Sequence, residues 1–574
     1  MIASEHYLSA AAGARIFAGG GNAIDAAIAA AFVEGIVNPH MHTIGGEAPM
    51  LIRPAGGPEV FAINGNMIAP ARATIEHYRS LGLELVPHSG LLAAGVPAAL
   101  DAFVTALSKF GTMSLAQVLE PALEIAEDGF AVHPGLSGAD LSADAQYAGA
   151  GASIPNFVKK FREEWPSTAA IYLPGGEVPK PGTVLKNPAL GEFYRKILDA
   201  ESAARNRGRI EALKAARDRF YCGDIAREIV AWSDANGGLL ALGDFAKFDT
   251  RIEAPVSFSY RGITVSKCGP WSQGPVFLQQ LALLESYNLA QMGHNSAQYI
   301  HLVAEASKLA FADREAYYAD PDFVDVPLDG LLSRRYAELR RTLIDRERAS
   351  MELRPGDPRR MSALLDSAIS SRGWGGGTVH VDACDRAGNI IAITPSGGWI
   401  PSSPVIPELG FPLGSRMQTF YLDPDHPNAL APSKRPRTTL SPSLTIGPDA
   451  RAIAFGTPGG DQQDQWTLQF FLNVVDFGMN LQEAVEAPKF SSAHFPSSFY
   501  PHGARPGVLR IEKRVDETVR DDLASRGHKV ELRPDWSEGH VLAVQFDPSS
   551  GALSGACDPR GQIIPVMAAQ VIGW

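Results

Sequence analysis

The first forty residues carry two consecutive helical patterns. Apolar positions recur with helical spacing over the first turns, and the run Gly19–Gly21 is typical of a helix end. The next segment, AIDAAIAAAFVEGIV (23–37), is apolar on nearly every side, which predicts a buried helix. It carries Asp25 and Glu34 and is too short to span a membrane. We therefore expect a closely packed pair of helices in the core.

Beyond this pair, helical and strand-like patterns alternate along the chain. Helical spacing occurs at 97–133, 185–250, 296–319, 466–487 and 514–526, and strand-like runs occur at 50–54, 58–65, 255–268 and from Gly375 onward. The helical residues 185–250 are rich in charge, as is typical of a solvated helix face. We expect these residues and the helical residues 300–350 to pack on the outside of the molecule.

Length and composition limit the possible classes of protein. A chain of 574 residues suggests several domains or one large sandwich. The net charge of −12 provides no overall basic field, so we expect neither a nucleic acid nor an anionic membrane as a partner. The four cysteines show no CxxC spacing. The N-terminal residues lack the basic and apolar regions of a secretory signal, which predicts a cytoplasmic protein.

The segment from Thr378 to Gly398 has the pattern of a β-hairpin. Residues 378–384 alternate between apolar and polar, a turn carries Gly388, and an apolar return strand follows. If the turn is centred on Ala387, Thr378 lies opposite Ser396. Two hydroxyl groups would then face each other at the open end of the hairpin, directly after the glycine run 375–377.

This hydroxyl pair has a structural and a chemical interpretation. From the local pattern alone, a cross-strand Thr/Ser pair beside a glycine hinge is the more common case. A threonine hydroxyl can also be a nucleophile if a base activates it, and its own α-amine can serve once the preceding peptide bond is cut. Glycine at 377 would permit the distorted backbone that such a cut between Gly377 and Thr378 requires.

Two further segments have patterns that suit this chemistry. The glycine-rich turn Phe455–Asp461 stands between a strand-like and a helical run, where backbone N–H groups can stabilise an oxyanion. The segment Lys434–Pro442 is polar and fixed by prolines, and would otherwise pass as a loop. A glycine-rich turn also occurs for purely steric reasons, so neither segment identifies a function alone.

Together the three segments resemble, in order and spacing, the small subunit of the γ-glutamyltransferase (gamma-glutamyltranspeptidase) family of N-terminal-nucleophile (Ntn) hydrolases. Thr378-Val-His380 resembles the family's nucleophile motif, Lys434–Pro442 its KRP segment, and Thr457–Gly460 its oxyanion loop. Other family-like segments cover nearly the whole chain: GGNAIDAAIA (20–29), IGG (44–46), MIAPARAT (67–74), GVPAALDAF (95–103), 109–130, FYCGDIA (220–226), 312–324 and GACDPRG (555–561).

The resemblance implies a fold and a division of the chain. It implies an α+β fold, a four-layer αββα sandwich of the Ntn-hydrolase type. One precursor would cut itself between Gly377 and Thr378 into a large subunit, 1–377, and a small subunit, 378–574. Both would form a single domain and stay together without a covalent bond, and a dimer of this heterodimer is left open.

The resemblance also implies the role of individual residues. Thr378 would be the nucleophile, and Ser396 the hydroxyl that contacts its amine. Gly459 and Gly460 would form the oxyanion hole. Thr438 and Thr439 would replace two serines that hold a substrate carboxylate. No cofactor and no metal ion are implied.

The residues that would recognise a γ-glutamyl group differ from the family pattern. Asn66 stands in place of a carboxylate-binding arginine, Thr419 in place of an amine-binding aspartate, Gln418 in place of a neighbouring acid, Arg416 in place of a glutamine and Gly398 in place of an asparagine. Losing two charge-assisted contacts of roughly 1.5–3 kcal/mol each would weaken binding of a zwitterionic glutamyl group about a hundredfold or more. We therefore expect an amidohydrolase or acyltransferase that acts on a small-molecule amide with an altered acyl group.

The nature of that acyl group remains open at the level of sequence. Arg416 and Arg437 are candidates for binding an anionic, glutaryl-like acyl chain, although either could be a solvated arginine. One alternative is a true γ-glutamyl hydrolase or transpeptidase that acts on glutathione-like amides. An alternative of another class is an unprocessed, non-catalytic homologue. The His40-x-His42 spacing lacks an obvious carboxylate partner, so we do not expect a metal site there.

Overall fold

A computed structural model describes residues 1–138, 153–365, 377–560 and 569–573. Its strands are β1 (Ile2–Ser4), β2 (Met50–Arg53), β3 (Phe61–Asn64), β4 (Phe130–Ala131), β5 (Val184–Leu185), β6 (Arg251–Glu253), β7 (Val256–Tyr260), β8 (Ile263–Lys267), β9 (Val381–Cys384), β10 (Ile390–Ile393), β11 (Ser443–Ile446), β12 (Ala452–Gly456), β13 (Phe490–Ser492), β14 (Val508–Glu512), β15 (Lys529–Arg533), β16 (Leu542–Asp547), β17 (Ala552–Cys557) and β18 (Gln570–Ile572).

The α-helices lie mainly in the first two thirds of the chain. They are α1 (Tyr7–Ala18), α2 (Ala23–Val37), α3 (Ile75–Ser80), α4 (Ala99–Phe110), α5 (Leu115–Asp128), α6 (Pro134–Ser137), α7 (Val158–Glu163), α8 (Pro166–Tyr172), α9 (Pro188–Ala204), α10 (Arg209–Tyr221), α11 (Asp224–Ala235), α12 (Leu242–Lys247), α13 (Pro275–Leu284), α14 (Leu289–Met292), α15 (Ala297–Tyr317), α16 (Leu328–Leu331), α17 (Arg334–Arg341), α18 (Gln463–Val475), α19 (Leu481–Glu486) and α20 (Glu517–Ser525).

Two antiparallel sheets carry strands from both ends of the chain. The first has seven strands in the order β18-β1-β9-β10-β2-β3-β6, and the second has six in the order β17-β16-β12-β11-β8-β7. In the first sheet, β1 therefore lies between β18 and β9, which follow residue 377, and β10 lies next to β2, which precedes it. Neither part of the chain could form this sheet alone. Without the other part, β1 would lose its pairing with β9, and β2 would lose its pairing with β10, which leaves backbone hydrogen-bonding groups unpaired.

Alternation along β10 shows how the first sheet is covered on both faces. Ile390 and Ala392 pack against residues of the second sheet such as Leu444 and Leu542. Ile391 and Ile393 belong to the cluster formed with the helices α1 and α2. Since successive strand residues point to opposite faces, a continuous apolar run is what a strand buried on both faces requires. The helices α13 and α18 pack against the second sheet.

The predicted pair of N-terminal helices is confirmed as α1 and α2. Asn22 caps α2 in a capping box with Asp25, and every residue of α2 is buried. The Asp25 carboxylate also accepts hydrogen bonds from the N–H and hydroxyl of Thr112. No helix within the described ranges is long and apolar enough to cross a membrane.

The expectation that the helical residues 300–350 lie outside is wrong for α15. Nearly all of this helix is buried, including charged residues. Those charges pair with each other. The Lys308 amine lies 2.6 Å from the Glu305 carboxylate, and the Arg314 guanidinium lies 2.7 Å from the Glu315 carboxylate. Because buried charges are tolerated when they are paired, a charge-rich helix can lie in the core.

Burial of Glu34 within α2 provides a test of how this helix is packed. One carboxylate oxygen accepts a 2.7 Å hydrogen bond from the Asn38 amide, and the other has no partner among the described residues. Burial raises the pKa of Glu34 to about 7, from an ordinary value of 4.5. Its protonated form is thus the one that the folded state favours.

We expect the Glu34→Gln variant to gain stability relative to the unaltered protein as the pH rises. A raised carboxyl pKa contributes stability that is complete below about pH 4.5 and is lost as the pH rises through about 7, a total of about 3 kcal/mol. Urea unfolding at pH 5 and pH 8, in a Thr378→Ala background that keeps the chain whole, measures the difference. A difference that does not change with pH would contradict this assignment.

Candidate active site

Thr378 and Ser396 meet at the open end of the β9–β10 hairpin. In the hairpin Cys384 pairs with Ile390, and the same register continues to an isolated bridge between Thr378 and Ser396. Their hydroxyl oxygens lie 3.3 Å apart, and both residues are fully buried. The predicted register about Ala387 is therefore confirmed.

The Ser396 hydroxyl contacts the carbonyl group that precedes Thr378. It donates a 2.6 Å hydrogen bond to the Gly377 carbonyl oxygen. It also accepts a 2.7 Å hydrogen bond from the Arg416 guanidinium. Arginine has donors only, and a carbonyl oxygen can only accept, so the direction of both hydrogen bonds is fixed. Ser396 thus links a buried cation to the peptide bond at which the sequence predicts cleavage.

Glu47 is a functional candidate that the sequence analysis missed. Its backbone makes two hydrogen bonds with that of Ser396, of 2.8 and 2.9 Å, and its carboxylate forms a buried ion pair with Arg416. Burial raises the pKa of Glu47, and Arg416 opposes that rise. The Thr438 hydroxyl lies 3.5 Å from the same carboxylate. One signal was present: a glutamate directly after the glycines at 45 and 46, within an otherwise apolar segment.

A close backbone approach brings this part of the chain to the hairpin. A Cβ atom on Gly46 would lie 2.1 Å from the Ser396 carbonyl oxygen, far inside any real contact distance. Two residues after Ser396, the Gly398 carbonyl oxygen accepts a 2.6 Å hydrogen bond from the Thr43 hydroxyl. Only glycine fits at position 46, so the residue type follows from the approach itself.

Gly459 and Gly460 form the turn between β12 and α18. Both have left-handed backbone conformations, with φ of +123° and +59°. Their N–H groups donate to no other residue in the described part of the chain. The turn is supported by Asp461, which accepts hydrogen bonds from Ser498 and from Arg314. Two free N–H groups in a rigid turn can stabilise a developing oxyanion.

Phe499 connects this turn with the hydroxyl pair. Its ring lies 5.3 Å from the Arg416 guanidinium, and a Cβ atom on Gly460 would lie 3.1 Å from the same ring. The Trp399 ring lies 5.3 Å from that guanidinium as well. The candidate oxyanion turn and the hydroxyl pair therefore belong to one site, and aromatic faces line it.

Comparison with known proteins identifies the family of this chain. The sequence model of the gamma-glutamyltranspeptidase family matches residues 9–566. The chain belongs to this family. The acylase ACY 1 proenzyme of Pseudomonas sp. (strain SE83) is 34% identical, over 99% of this chain and 93% of that protein. The glutathione hydrolase proenzyme of Escherichia coli (strain K12) is 31% identical, over 98% and 90%.

A solved structure extends the likeness to the fold. The cephalosporin acylase from Bacillus halodurans superposes with a TM-score of 0.82 at 28% identity, and covers 100% of this chain and 95% of that one. The mixed α/β fold is thus similar to that of this family's acylases. The chain is an enzyme of the gamma-glutamyltranspeptidase family, an amidohydrolase or acyltransferase.

Asn66 and Thr438, two further residues predicted from the family pattern to bind substrate, lie near Glu47. Asn66 precedes Met67, whose N–H lies 3.5 Å from one Glu47 carboxylate oxygen, and the Thr438 hydroxyl lies 3.5 Å from the other. The Asn66 amide donates a 2.6 Å hydrogen bond to the Pro436 carbonyl oxygen. The buried Asn66 side-chain oxygen and the Thr439 hydroxyl have no partner among the described residues.

Two other candidates are used within the protein. The Thr419 hydroxyl donates a 3.0 Å hydrogen bond to the Arg416 carbonyl oxygen, inside its own 3₁₀ turn. Arg437 lies 2.9 Å from Glu315 and donates to the Arg314 carbonyl oxygen. Burial alone would raise the pKa of Glu315, but Arg437 and Arg314 lower it to about 2. Arg437 is therefore buried and its charge is paired, so it is not the solvated arginine that the sequence left open, while a role in binding an acyl chain stays a prediction.

The histidines of this region are held by other groups. His380 contacts the Thr394 hydroxyl at 3.0 Å and the Asp382 carboxylate at 2.9 Å.

Among the described residues, one cluster has metal-like geometry: His301, Glu305 and His528. The Glu305 carboxylate there already pairs with Lys308 at 2.6 Å and with Arg354. Two cations on the only acidic ligand oppose binding of a further cation.

We expect the Gly459→Ala variant to lose activity while it keeps its fold. The added Cβ would lie 2.2 Å from the Trp466 ring at a positive φ, so the turn must move and withdraw its N–H groups. Loss of one oxyanion donor lowers kcat by about 10²–10³-fold. Steady-state kinetics on an anilide substrate measures this effect.

Gly551→Ala is the matched control for that variant. Gly551 has a φ of +69° with open space around it, so alanine introduces backbone strain without a clash, in the exposed turn between β16 and β17. Its kcat should equal that of the unaltered enzyme. If the Gly459→Ala variant keeps a kcat within threefold of the unaltered value, the assignment of this turn is wrong.

Proposed function

We propose that the protein cuts itself between Gly377 and Thr378, and that Thr378 is then the N-terminal nucleophile of an amidohydrolase. The observation that supports this most strongly is the 2.6 Å hydrogen bond from Ser396 to the Gly377 carbonyl oxygen. The free α-amine of Thr378, with an ordinary pKa of about 8, would accept the proton of its own hydroxyl. The related acylase and glutathione hydrolase are both named proenzymes.

The two products would be residues 1–377 and 378–574, joined in a single four-layer αββα domain. The first sheet supports this arrangement, because strands from before and after residue 377 are neighbours in it. The backbone hydrogen bonds between β1 and β9, and between β2 and β10, would hold the products together without a covalent bond. A dimer of this heterodimer would be a further level of assembly.

In turnover, Thr378 would attack the amide carbonyl and form an acyl-enzyme. The N–H groups of Gly459 and Gly460 would stabilise the oxyanion, and the α-amine would return the proton to the leaving amine. Water or another amine would then release the acyl group. Buried surroundings strengthen these hydrogen bonds, because little solvent competes for the donors.

The acyl group would lack the α-amine of a γ-glutamyl group. A zwitterionic glutamyl group needs an acid for its amine, and Glu47, the buried acid that the described residues place next to the hydroxyl pair, is already paired with Arg416. Thr419, in place of the family's aspartate, uses its hydroxyl inside its own turn. A glutamyl amine would therefore be desolvated without a partner, which is costly.

Arg416 would instead bind an acceptor oxygen at the far end of the acyl chain. Its Nη1 group is buried and has no partner among the described residues, while Glu47 and Ser396 occupy its other nitrogens. The rings of Trp399 and Phe499 flank it and would cover the methylenes of the chain. A glutaryl-like monoamide fits this description, and the named acylase activity of the relatives agrees with it.

Cleavage is tested on a denaturing gel of freshly expressed protein. We expect two bands, residues 1–377 and 378–574, and a single band for the Thr378→Ala variant. Sequencing of the smaller product should begin at Thr378. A single persistent band for the unaltered protein would mean that the chain is the unprocessed, non-catalytic homologue.

Acyl preference is tested with two anilides that differ only in the α-amine. We expect kcat/KM for glutaryl-p-nitroanilide to exceed that for γ-glutamyl-p-nitroanilide about 10–100-fold, the effect of one charge-assisted contact that the glutamyl amine would lack. The Thr378→Ala variant gives the background rate for both compounds. A clear preference for the glutamyl compound would support a glutathione-type hydrolase instead.

A further inference from the structure

Arg416 makes a contact that binding of the acyl group does not explain. Its Nη2 group donates a 2.7 Å hydrogen bond to Ser396, whose hydroxyl in turn contacts the Gly377 carbonyl. That carbonyl belongs to the chain itself and leaves the site once the peptide bond is cut. This contact therefore relates to maturation, a step that precedes substrate turnover.

Arg416 is held rigidly at this position. Glu47 forms an antiparallel bridge with Ser396 through its backbone and an ion pair with Arg416 through its side chain. Glu47, Arg416 and Ser396 form a closed ring of contacts, because Arg416 also donates a hydrogen bond to the Ser396 hydroxyl. The flanking Trp399 and Phe499 rings, each 5.3 Å away, limit access of water to the guanidinium. All three members of the ring, Glu47, Arg416 and Ser396, are fully buried.

The chemistry of the three groups fixes the direction of the hydrogen bonds. A serine hydroxyl can rotate and normally chooses between donating and accepting. Since Arg416 can only donate, Ser396 must accept from it, and its own proton then points to the Gly377 oxygen. The Gln that the family pattern has at position 416 could either donate or accept, so it would not impose this direction.

We propose that Arg416, held by Glu47, is a positioning residue for self-cleavage that acts through Ser396. The inference rests on the proposed cleavage between Gly377 and Thr378. Arg416 makes the Ser396 hydroxyl a better donor, so that it polarises the Gly377 carbonyl and stabilises the charge that develops on its oxygen. The Gly459–Gly460 turn would serve the amide substrate, which gives maturation and turnover separate oxyanion devices.

The cleavage step needs no base other than the Ser396 hydroxyl. The Thr378 Oγ attacks the Gly377 carbon, its proton passes to the Ser396 Oγ, and the Ser396 proton passes to the Gly377 oxygen. As the Gly377–Thr378 C–N bond breaks, that proton returns through Ser396 to the departing nitrogen. The resulting ester between Gly377 and the Thr378 Oγ takes up one water. The products are a Gly377 carboxylate and a Thr378 with a free amine and hydroxyl.

The test is the rate of self-cleavage of the full chain during cell-free synthesis, followed on a gel after a short labelling pulse. We expect Arg416→Met to slow cleavage about 10–100-fold, since a polarising donor is lost. Arg416→Lys keeps a positive charge and a donor, so its cleavage rate should lie between the rates of the unaltered chain and of Arg416→Met. Hydroxylamine added to slow variants should cleave any accumulated ester.

Arg340→Met is the matched control, because Arg340 is another buried arginine paired with an acid, Asp313, at 3.2 Å, and lies on α17. It should cleave at the unaltered rate, although it loses stability by a similar mechanism. Circular dichroism melting reports the fold of each variant. If Arg416→Met does not fold, Arg416→Lys provides the test, with an expected slowing of at least threefold.

The outcomes separate the two proposals. An unaltered chain that never cleaves overturns the proposed function and this inference together. An unaltered chain that cleaves, with the folded Arg416 variants cleaving within twofold of its rate, overturns the role of Arg416 alone. Slow cleavage by the Arg340→Met variant to the same degree would likewise overturn it, because a general loss of stability would then explain the effect.

Discussion

A backbone-to-backbone contact between the segment at Gly46 and the end of the β9–β10 hairpin determines the site. There is no room for a Cβ atom between Gly46 and the carbonyl oxygen of Ser396. This approach allows Glu47 to hydrogen-bond with Ser396 through two main-chain groups. It joins residues that are 350 positions apart in the sequence beside the hydroxyl pair of Thr378 and Ser396. The geometry of the two hydroxyl groups, the ion pair between Glu47 and Arg416, and the position of the hairpin end all depend on this contact.

The site uses buried charge in two places, and both are closed by pairing. Arg416 and Glu47 stand beside the hydroxyl pair, and Arg314 binds Asp461 beneath the glycine turn. Removing one member of such a pair leaves an uncompensated charge, which costs several kcal/mol, whereas the intact pair contributes little net stability. These pairs are thus better understood as devices that fix geometry. They set where hydrogen-bond donors point in a buried region of the protein.

Local patterns in the sequence predicted the hairpin and the pair of N-terminal helices well. The register that places Thr378 opposite Ser396 follows from the period of two and the position of one turn, and the end of α1 follows from the glycines that begin at position 19. The Glu47–Arg416 pair could not be predicted in this way, because it joins positions far apart in the chain. The buried charges of α15 were misjudged for the same reason, since each is paired only after folding.

The interleaved strands of the first sheet have a consequence for how a cut protein would persist. A whole chain folds in a unimolecular reaction, but two products that share one sheet could refold only by meeting again, in a reaction that depends on concentration. Once separated by heat or denaturant, they would expose unpaired strand edges and aggregate in competition with reassembly. The working lifetime of such an enzyme is then a kinetic quantity, set by the barrier to pulling β1 away from β9 and β2 away from β10.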